Sequence, residues 1–286
     1  MTSLGDTLRT SGIFPYKGRG QHFLVNAAIA EKIAGLADLG PHDVVVEIGP
    51  GTGALTAHLV EKAGRVIAIE SDRKLAALVR ETVDSDRLEV VFGDAMRYDY
   101  RALGSSVDAR FKVVANLPYN ISTPLIFRLL DAHRAIKTIV LMLQKEVALR
   151  LVARPSTKEY GALTVGASLL ADISIALIVG RGNFHPRPKV DSAVVVFEVA
   201  ERPRADVGDI ETFSKVVRAA FGNRRKTLRN ALRALLGGGE PGAVERVGEL
   251  AGVNLGRRGE TCSGMEFAAL ARAVSTVTQG PDQKEK

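Results

Sequence analysis

Val44-Val45-Val46-Glu47-Ile48-Gly49-Pro50-Gly51-Thr52-Gly53 holds the plan of the first two hundred residues. A short β-rich run enters a turn with a glycine at every second position, and Ala54–Ala63 then reads as a helix. Glycine lets a backbone bend sharply and lets a ligand approach it closely. The same alternation continues outward. Short apolar runs at Val66–Ile69, Leu88–Phe92, Lys112–Ala115 and Thr138–Leu143 read as strands, and Arg73–Val83 and Pro124–His133 read as helices. Strands followed in turn by helices imply a parallel sheet covered on both faces, and near-continuous apolar strands suit burial on both sides. Two more strands are expected, around Ser174–Val179 and at Ala193–Val199.

The polar, proline-containing segment Glu201-Arg202-Pro203-Arg204 marks a boundary. Beyond it the pattern is helical, roughly Ile210–Phe221, Arg224–Leu236, Ala243–Leu250 and Met265–Val274. Gly237-Gly238-Gly239 stops one helix, and Ser263 with Glu266 forms a capping-box pattern for the last. The expected organisation is a Rossmann-like domain over residues 1–200, with an N-terminal extension at 1–20. A smaller all-helical domain covers 201–286, and its polar tail from about Gln279 is read as disordered.

At 286 residues and 46% hydrophobic content, the chain has room for a large domain and a small one. No run approaches the ~20 apolar residues of a membrane span. The first twenty residues hold Asp6, Arg9, Lys17 and Arg19 without an apolar core, so no secretory signal is read and a cytoplasmic location is expected. The single cysteine, Cys262, rules out an intramolecular disulfide and fits a reducing compartment. The five histidines are scattered and show no zinc spacing, so no metal is expected. A net charge of +7 suits a polyanionic partner. From Phe213 to Gly239 the chain carries Lys215, Arg218, Arg224, Arg225, Lys226, Arg229 and Arg233 with no Asp or Glu. Basic residues on a solvated helix face are ordinary. The lack of any acid in the span favours phosphate contact.

Glu70 ends the strand after the glycine turn, twenty-one residues beyond Gly49, where a carboxylate can take both hydroxyls of a ribose. So far the site fits NAD as well as S-adenosylmethionine, although G-x-G-x-G departs from the dinucleotide pattern. Gly93-Asp94-Ala95-Met96 follows the next strand. Asp94 there can accept from an adenine amino group, or simply cap a turn. Asn116-Leu117-Pro118-Tyr119 closes the strand Lys112–Ala115. An exocyclic amine on a flat base is a poor nucleophile, because its lone pair is delocalised into the ring. The Asn116 amide oxygen and the Leu117 carbonyl can accept its two N–H bonds and free that lone pair. Pro118 fixes the turn, and Tyr119 offers a ring for stacking. Glu70, Asp94 and Asn116 at three strand ends favour a site in the crevice there.

Together these motifs resemble the ribosomal RNA adenine N6,N6-dimethyltransferase family over about Tyr16 to Ala273. The resemblance also takes in Gly20-Gln21-His22-Phe23-Leu24, Gln144-Lys145-Glu146, Asn183-Phe184-His185-Pro186-Arg187-Pro188-Lys189-Val190-Asp191-Ser192 and Ala220-Phe221-Gly222-Asn223-Arg224-Arg225-Lys226-Thr227-Leu228. It implies a class I S-adenosylmethionine-dependent methyltransferase that dimethylates N6 of adenines in small-subunit rRNA, two adjacent ones in a 3′-terminal hairpin, in the course of subunit maturation. It implies S-adenosylmethionine as cofactor. Gln21, His22 and Leu24 would lie at its methionine end, Gly49 and Gly51 at its amino-acid part, Glu70 at its ribose, and Asp94 with Ala95 at its adenine, with Asn116 bordering it. Asn116 and Leu117 would bind the target amine. Tyr119 and Phe184 would sandwich the target base; without the resemblance Phe184 reads as a core plug. Lys215, Arg218, Arg224, Arg225, Lys226 and Arg229 would meet RNA. His22 stands where many relatives have Asn.

The small ribosomal subunit is the expected partner, and a monomer is expected. Three rival readings are a large-subunit rRNA methyltransferase, a DNA adenine methyltransferase, and an assembly factor with a vestigial site.

Overall fold

The computed structural model describes residues 20–107, 109–223, 225–237 and 240–279. Within them the chain forms two compact units, one of residues up to 149 with 172–201, the other of 150–171 with the residues from 202 on.

The first unit is an α/β layer structure. Its strands are β1 (Phe23–Leu24), β2 (Val44–Ile48), β3 (Arg65–Glu70), β4 (Leu88–Phe92), β5 (Phe111–Asn116), β6 (Ile136–Gln144), β7 (Ala171–Val179), β8 (Phe184–His185) and β9 (Ser192–Val199). Seven of them form one sheet in the order β4-β3-β2-β5-β6-β9-β7. Pairs β2–β3, β3–β4, β2–β5 and β5–β6 are parallel. The expected parallel pairing holds for these strands, and the added strand β9 runs antiparallel to β6. The reason is the connection. Between β7 and β9 the chain has only a 3₁₀ turn at Arg181–Asn183 and the short β8, and no crossover helix.

The remaining strands pair outside the main sheet. β1 meets β8 antiparallel, with Phe23 opposite His185 and Leu24 opposite Phe184.

Helices α1 (Ala27–Leu36), α2 (Thr56–Lys62), α3 (Arg73–Thr82), α4 (Tyr100–Ser106) and α5 (Ser122–Leu130) alternate with these strands, and α6 (Lys145–Leu151) follows β6. Their starts are set by side chains. Asn26 accepts from the N–H groups of Ala28 and Ile29, and Asp72 from those of Lys74 and Leu75. The core gathers Ala30 and Ile33 of α1, Leu59 of α2, and Val114, Val140 and Val194 of the sheet. Sequence order runs from β2 outward through β3 to β4, then returns to β5 on the other side of β2. A topological switch point therefore lies between β2 and β5, where such sheets open a crevice at the carboxyl ends of their strands.

The second unit is helical: α7 (Ala162–Ser168), α8 (Ile210–Phe221), α9 (Leu228–Leu236), α10 (Ala243–Ala251) and α11 (Gly264–Gln279). Residues 150–171 were expected with the sheet, but they are tied here. The Tyr160 hydroxyl donates to the Cys262 carbonyl at 2.7 Å, the Ser156 N–H to the Glu260 carbonyl at 2.8 Å, and the Arg204 N–H to the Leu169 carbonyl at 2.8 Å. Helix α8 buries Phe213, Val216, Val217 and Ala220, a 3.6-residue stripe that leaves Lys215 and Arg218 exposed. Helix α9 begins at Leu228 rather than Arg224, after a turn at Arg225-Lys226. Gly237 closes it in the left-handed region at φ 62°. The expected capping box at α11 is present: Ser263 N–H donates to Glu266 Oε2 at 2.7 Å, and Glu266 N–H to Ser263 Oγ at 3.2 Å. Among the described residues no helix is long and apolar enough to cross a membrane. The N-terminal extension up to residue 19 and the tail from 280 lie outside the described residues.

Candidate active site

A cleft of about 310 Å³ opens where β2, β3, β4 and β5 end. Its walls include Gln21, His22, Leu24, Gly49, Gly51, Glu70, Asp94, Ala95, Asn116 and Leu117, which is every residue expected at the cofactor together with both expected acceptors of the target amine.

The glycine turn is built by conformation and by a close approach. Gly49, Gly51 and Gly53 sit at φ 65°, 59° and 82°, where side-chain-bearing residues are strained. A Cβ on Gly51 would come within 2.9 Å of the Phe23 ring, so β1 rests directly on this turn. A Cβ on Gly49 would meet nothing within 4 Å. The turn backbone therefore faces open space in the cleft.

Two carboxyl groups are sunk into the same wall. Glu70 is 5% exposed, and its Oε1 accepts the Asp72 N–H at 2.9 Å. Burial raises its pKa against the pull of the Asp72, Gly51 and Ser71 N–H groups. Glu47, in the strand before the turn, is fully buried. Burial pushes its carboxyl up to about 8, and the neighbouring Glu70 charge adds to the rise. Its Oε2 has no hydrogen-bond partner among the described residues. Sequence reasoning passed over Glu47. The signal was an acidic residue inside an otherwise apolar strand, one place from the glycine turn.

Asp94 is exposed, and its Oδ1 accepts the Met96 N–H at 2.9 Å, so the turn-capping reading is realised. Its Oδ2 lies 3.9 Å from Arg97 Nε in a solvent-exposed pair. Ala95 is buried, and its carbonyl accepts from the Tyr100 hydroxyl.

Asn116 ends β5 with its amide fixed. Nδ2 donates to the backbone carbonyl of His22 at 2.9 Å. A carbonyl only accepts, so the amide nitrogen must face it, and Oδ1 is left without a donor among the described residues. Tyr119 is half-buried and does not line the cleft, although its neighbours Pro118 and Asn120 do. Its hydroxyl lies 2.8 Å from Ser192 Oγ, and its ring centroid 5.1 Å from that of His22. Phe184 takes the position of the core-plug reading. It is 4% exposed, packs in the core with Leu24, and does not line the cleft. In the β1–β8 pairing it stands opposite Leu24.

The basic residues belong to the second unit. Lys215, Arg218, Arg225, Lys226 and Arg229 are exposed, while Arg224 lies outside the described residues. Acids from beyond the basic span neutralise two of them: Glu211 pairs with Lys215 at 2.8 Å, and Glu245 of α10 pairs with Arg229. Arg218, Arg225, Lys226 and Arg233 have no ion pair among the described residues. The described residues hold no group of three or more His, Cys, Asp or Glu placed to bind a metal.

The family described as ribosomal RNA adenine dimethylase matches residues 17–270. The chain belongs to the ribosomal RNA adenine dimethylase family. It is accordingly a methyltransferase that acts on ribosomal RNA, and its sheet is the class I methyltransferase sheet. Curated relatives span nearly all of it. Ribosomal RNA small subunit methyltransferase A of Geobacter metallireducens is 45% identical over 272 residues, covering 94% of this chain and 99% of that protein. The protein of the same name from Moorella thermoacetica is 46% identical over 275 residues, covering 93% and 95%. The crystal structure of a dimethyladenosine transferase from Plasmodium falciparum superposes with a TM-score of 0.78 at 29% identity, covering 90% of this chain and 98% of that one. The 23S rRNA methyltransferase ErmE superposes at 0.66 with 27% identity, covering 89% and 100%.

Proposed function

We propose that the cleft binds S-adenosylmethionine, and that Asn116 and Leu117 present N6 of an adenine in small-subunit rRNA to it for two successive methylations. The observation that carries this reading is the fixed Asn116 amide, with its nitrogen on the His22 carbonyl and its Oδ1 free. The small subunit is preferred over the large because relatives named for the small subunit reach 45% and 46% identity, against 27% for ErmE.

The residues fit the cofactor. The buried, unpaired Glu47 Oε2 suits a cationic group, and the open face of Gly49 leaves room for an amino-acid moiety. Glu70 would accept from ribose hydroxyls, and the exposed Asp94 carboxylate from an adenine amine. When bound, S-adenosylmethionine supplies a methyl group already activated on a sulfonium.

The protein's task is then positioning and polarisation. Oδ1 of Asn116 accepts one N6 hydrogen, and the Leu117 carbonyl accepts the other. The nitrogen moves toward a tetrahedral shape and its lone pair becomes available. No strong base is required, because the alkylated nitrogen is cationic and sheds its proton readily. Tyr119 stacks on the base. Phe184 keeps a stacking role only by leaving its core, so stacking is assigned to Tyr119. Phosphate binding falls to Arg218, Arg225, Lys226 and Arg233, with RNA shape choosing the adenine. The protein acts as a cytoplasmic monomer in this reading.

The test is incubation with labelled S-adenosylmethionine and unmethylated small subunits, followed by nucleoside mass spectrometry. Dimethyladenosine at a defined small-subunit site is expected. Label confined to large-subunit RNA or DNA contradicts the reading, as does tight subunit binding without transfer.

A further inference from the structure

We propose that His22 is a positioning residue for the target-amine acceptor, holding the Asn116 amide in the orientation that transfer requires. This rests on the reading of Asn116 as the acceptor. The segment from Gly20 to Leu24 lies across the end of β5. Gly20 approaches so closely that a Cβ there would stand 3.2 Å from the Tyr119 nitrogen and 3.3 Å from Asn120 Oδ1. Two residues on, the His22 carbonyl receives Asn116 Nδ2 at 2.9 Å. The imidazole of the same residue anchors the segment from the other side. Its Nδ1 lies 2.7 Å from the Pro186 carbonyl, so Nδ1 carries the hydrogen and donates. The ring also neighbours Tyr119, whose hydroxyl reaches Ser192. His22 therefore joins the 184–192 segment, the stacking residue and the acceptor.

An Asn amide has two orientations that differ only in which end donates. With Nδ2 on the His22 carbonyl, Oδ1 faces an incoming amine. Rotated by half a turn, it sets a donor against the donors of N6. The hydrogen bond to the His22 carbonyl selects the productive orientation, and the imidazole–Pro186 bond holds that carbonyl in place. Expected at the methionine end of the cofactor, His22 does line the cleft, but its ring hydrogen-bonds protein.

The test compares His22→Leu, His22→Asn and Asn116→Ala. The readouts are the single-turnover transfer rate on unmethylated small subunits at saturating S-adenosylmethionine, the equilibrium Kd for S-adenosylmethionine, and the melting temperature. Asn Nδ2 stands the same number of bonds from Cα as His Nδ1, so His22→Asn restores the donor to Pro186. His22→Leu is expected to lose about tenfold in rate, the worth of one positioning hydrogen bond. Its Kd should stay within about twofold, and His22→Asn should stay within about threefold of the wild-type rate. A His22→Leu rate equal to wild type overturns the proposal, as does a weakened Kd with an unchanged saturating rate, which marks a cofactor ligand. Equal damage in His22→Asn and His22→Leu overturns it in favour of ring packing. An inactive Asn116→Ala beside an unaffected His22→Leu removes only the positioning role; near-normal Asn116→Ala removes the acceptor reading itself.

Discussion

Asn116 gives its amide nitrogen to the His22 carbonyl at 2.9 Å, across 94 residues of sequence, and so leaves its oxygen without a donor among the described residues. Replacing that nitrogen should be nearly as damaging as removing the side chain. Asn116→Asp sets a carboxylate oxygen against the His22 carbonyl, two acceptors with no proton between them. Methyl transfer should fall by about a hundredfold, the scale of removing one preorganised polar group from an active site. Steady-state assay of the folded variant checks this, and turnover close to wild type contradicts it.

Glu47 gives the cofactor site a pH signature. Its folded-state pKa is raised to about 8 from 4.5. The folded protein therefore binds more protons than the unfolded chain across that window. Stability without ligand should fall as pH rises through it. A cation bound at Glu47 favours the ionised form, so affinity for S-adenosylmethionine should rise between about pH 6 and pH 8. Glu47→Gln should flatten both trends. Titration calorimetry and melting curves at several pH values read them.

Gly51 carries two constraints at once, a φ of 59° and the Phe23 ring 2.9 Å from where a Cβ would sit. Gly51→Ala should cost roughly 1–3 kcal/mol by strain and close contact, measurable by chemical denaturation. It should also displace β1 and weaken S-adenosylmethionine binding. An unchanged Kd would show that β1 is not seated on the glycine turn during binding.

Arg225 and Lys226 are exposed and carry no ion pair among the described residues. The double change Arg225→Glu, Lys226→Glu should weaken binding to small subunits and lower the dependence of log K on log salt by about two, one for each phosphate no longer neutralised. Lys215→Ala and Arg229→Ala should do less, because each of these cations already faces a carboxylate. Equal effects at all four positions would contradict this ranking.

The lining of the cleft was legible in part from local pattern, because Gly49, Gly51, Glu70, Asp94 and Asn116 lie at strand ends and glycine turns, whereas Gln21, His22 and Leu24 were named through the family resemblance. What escaped was set by contacts between distant segments. The β1–β8 pairing joins Phe23 to His185, and no local periodicity announces a two-residue strand. That pairing sets Phe184 opposite Leu24 in the core, as the core-plug reading of its loop expected. The Glu245 that neutralises Arg229 comes from the next helix, outside the span whose lack of acids suggested free charge. The segment 150–171 belongs with the C-terminal helices through Tyr160 and Ser156, whose partners at Cys262 and Glu260 lie more than a hundred residues on. The significance of Glu47 is burial beside Glu70, which only the folded sheet creates.

The most direct measurement pairs the wild-type protein with Asn116→Ala on unmethylated small subunits, following dimethyladenosine by mass spectrometry and S-adenosylmethionine binding by equilibrium titration. The variant is expected to bind S-adenosylmethionine within about threefold of wild type yet to lose transfer by about a hundredfold or more. Dimethyladenosine formed by the variant at close to the wild-type rate would contradict it.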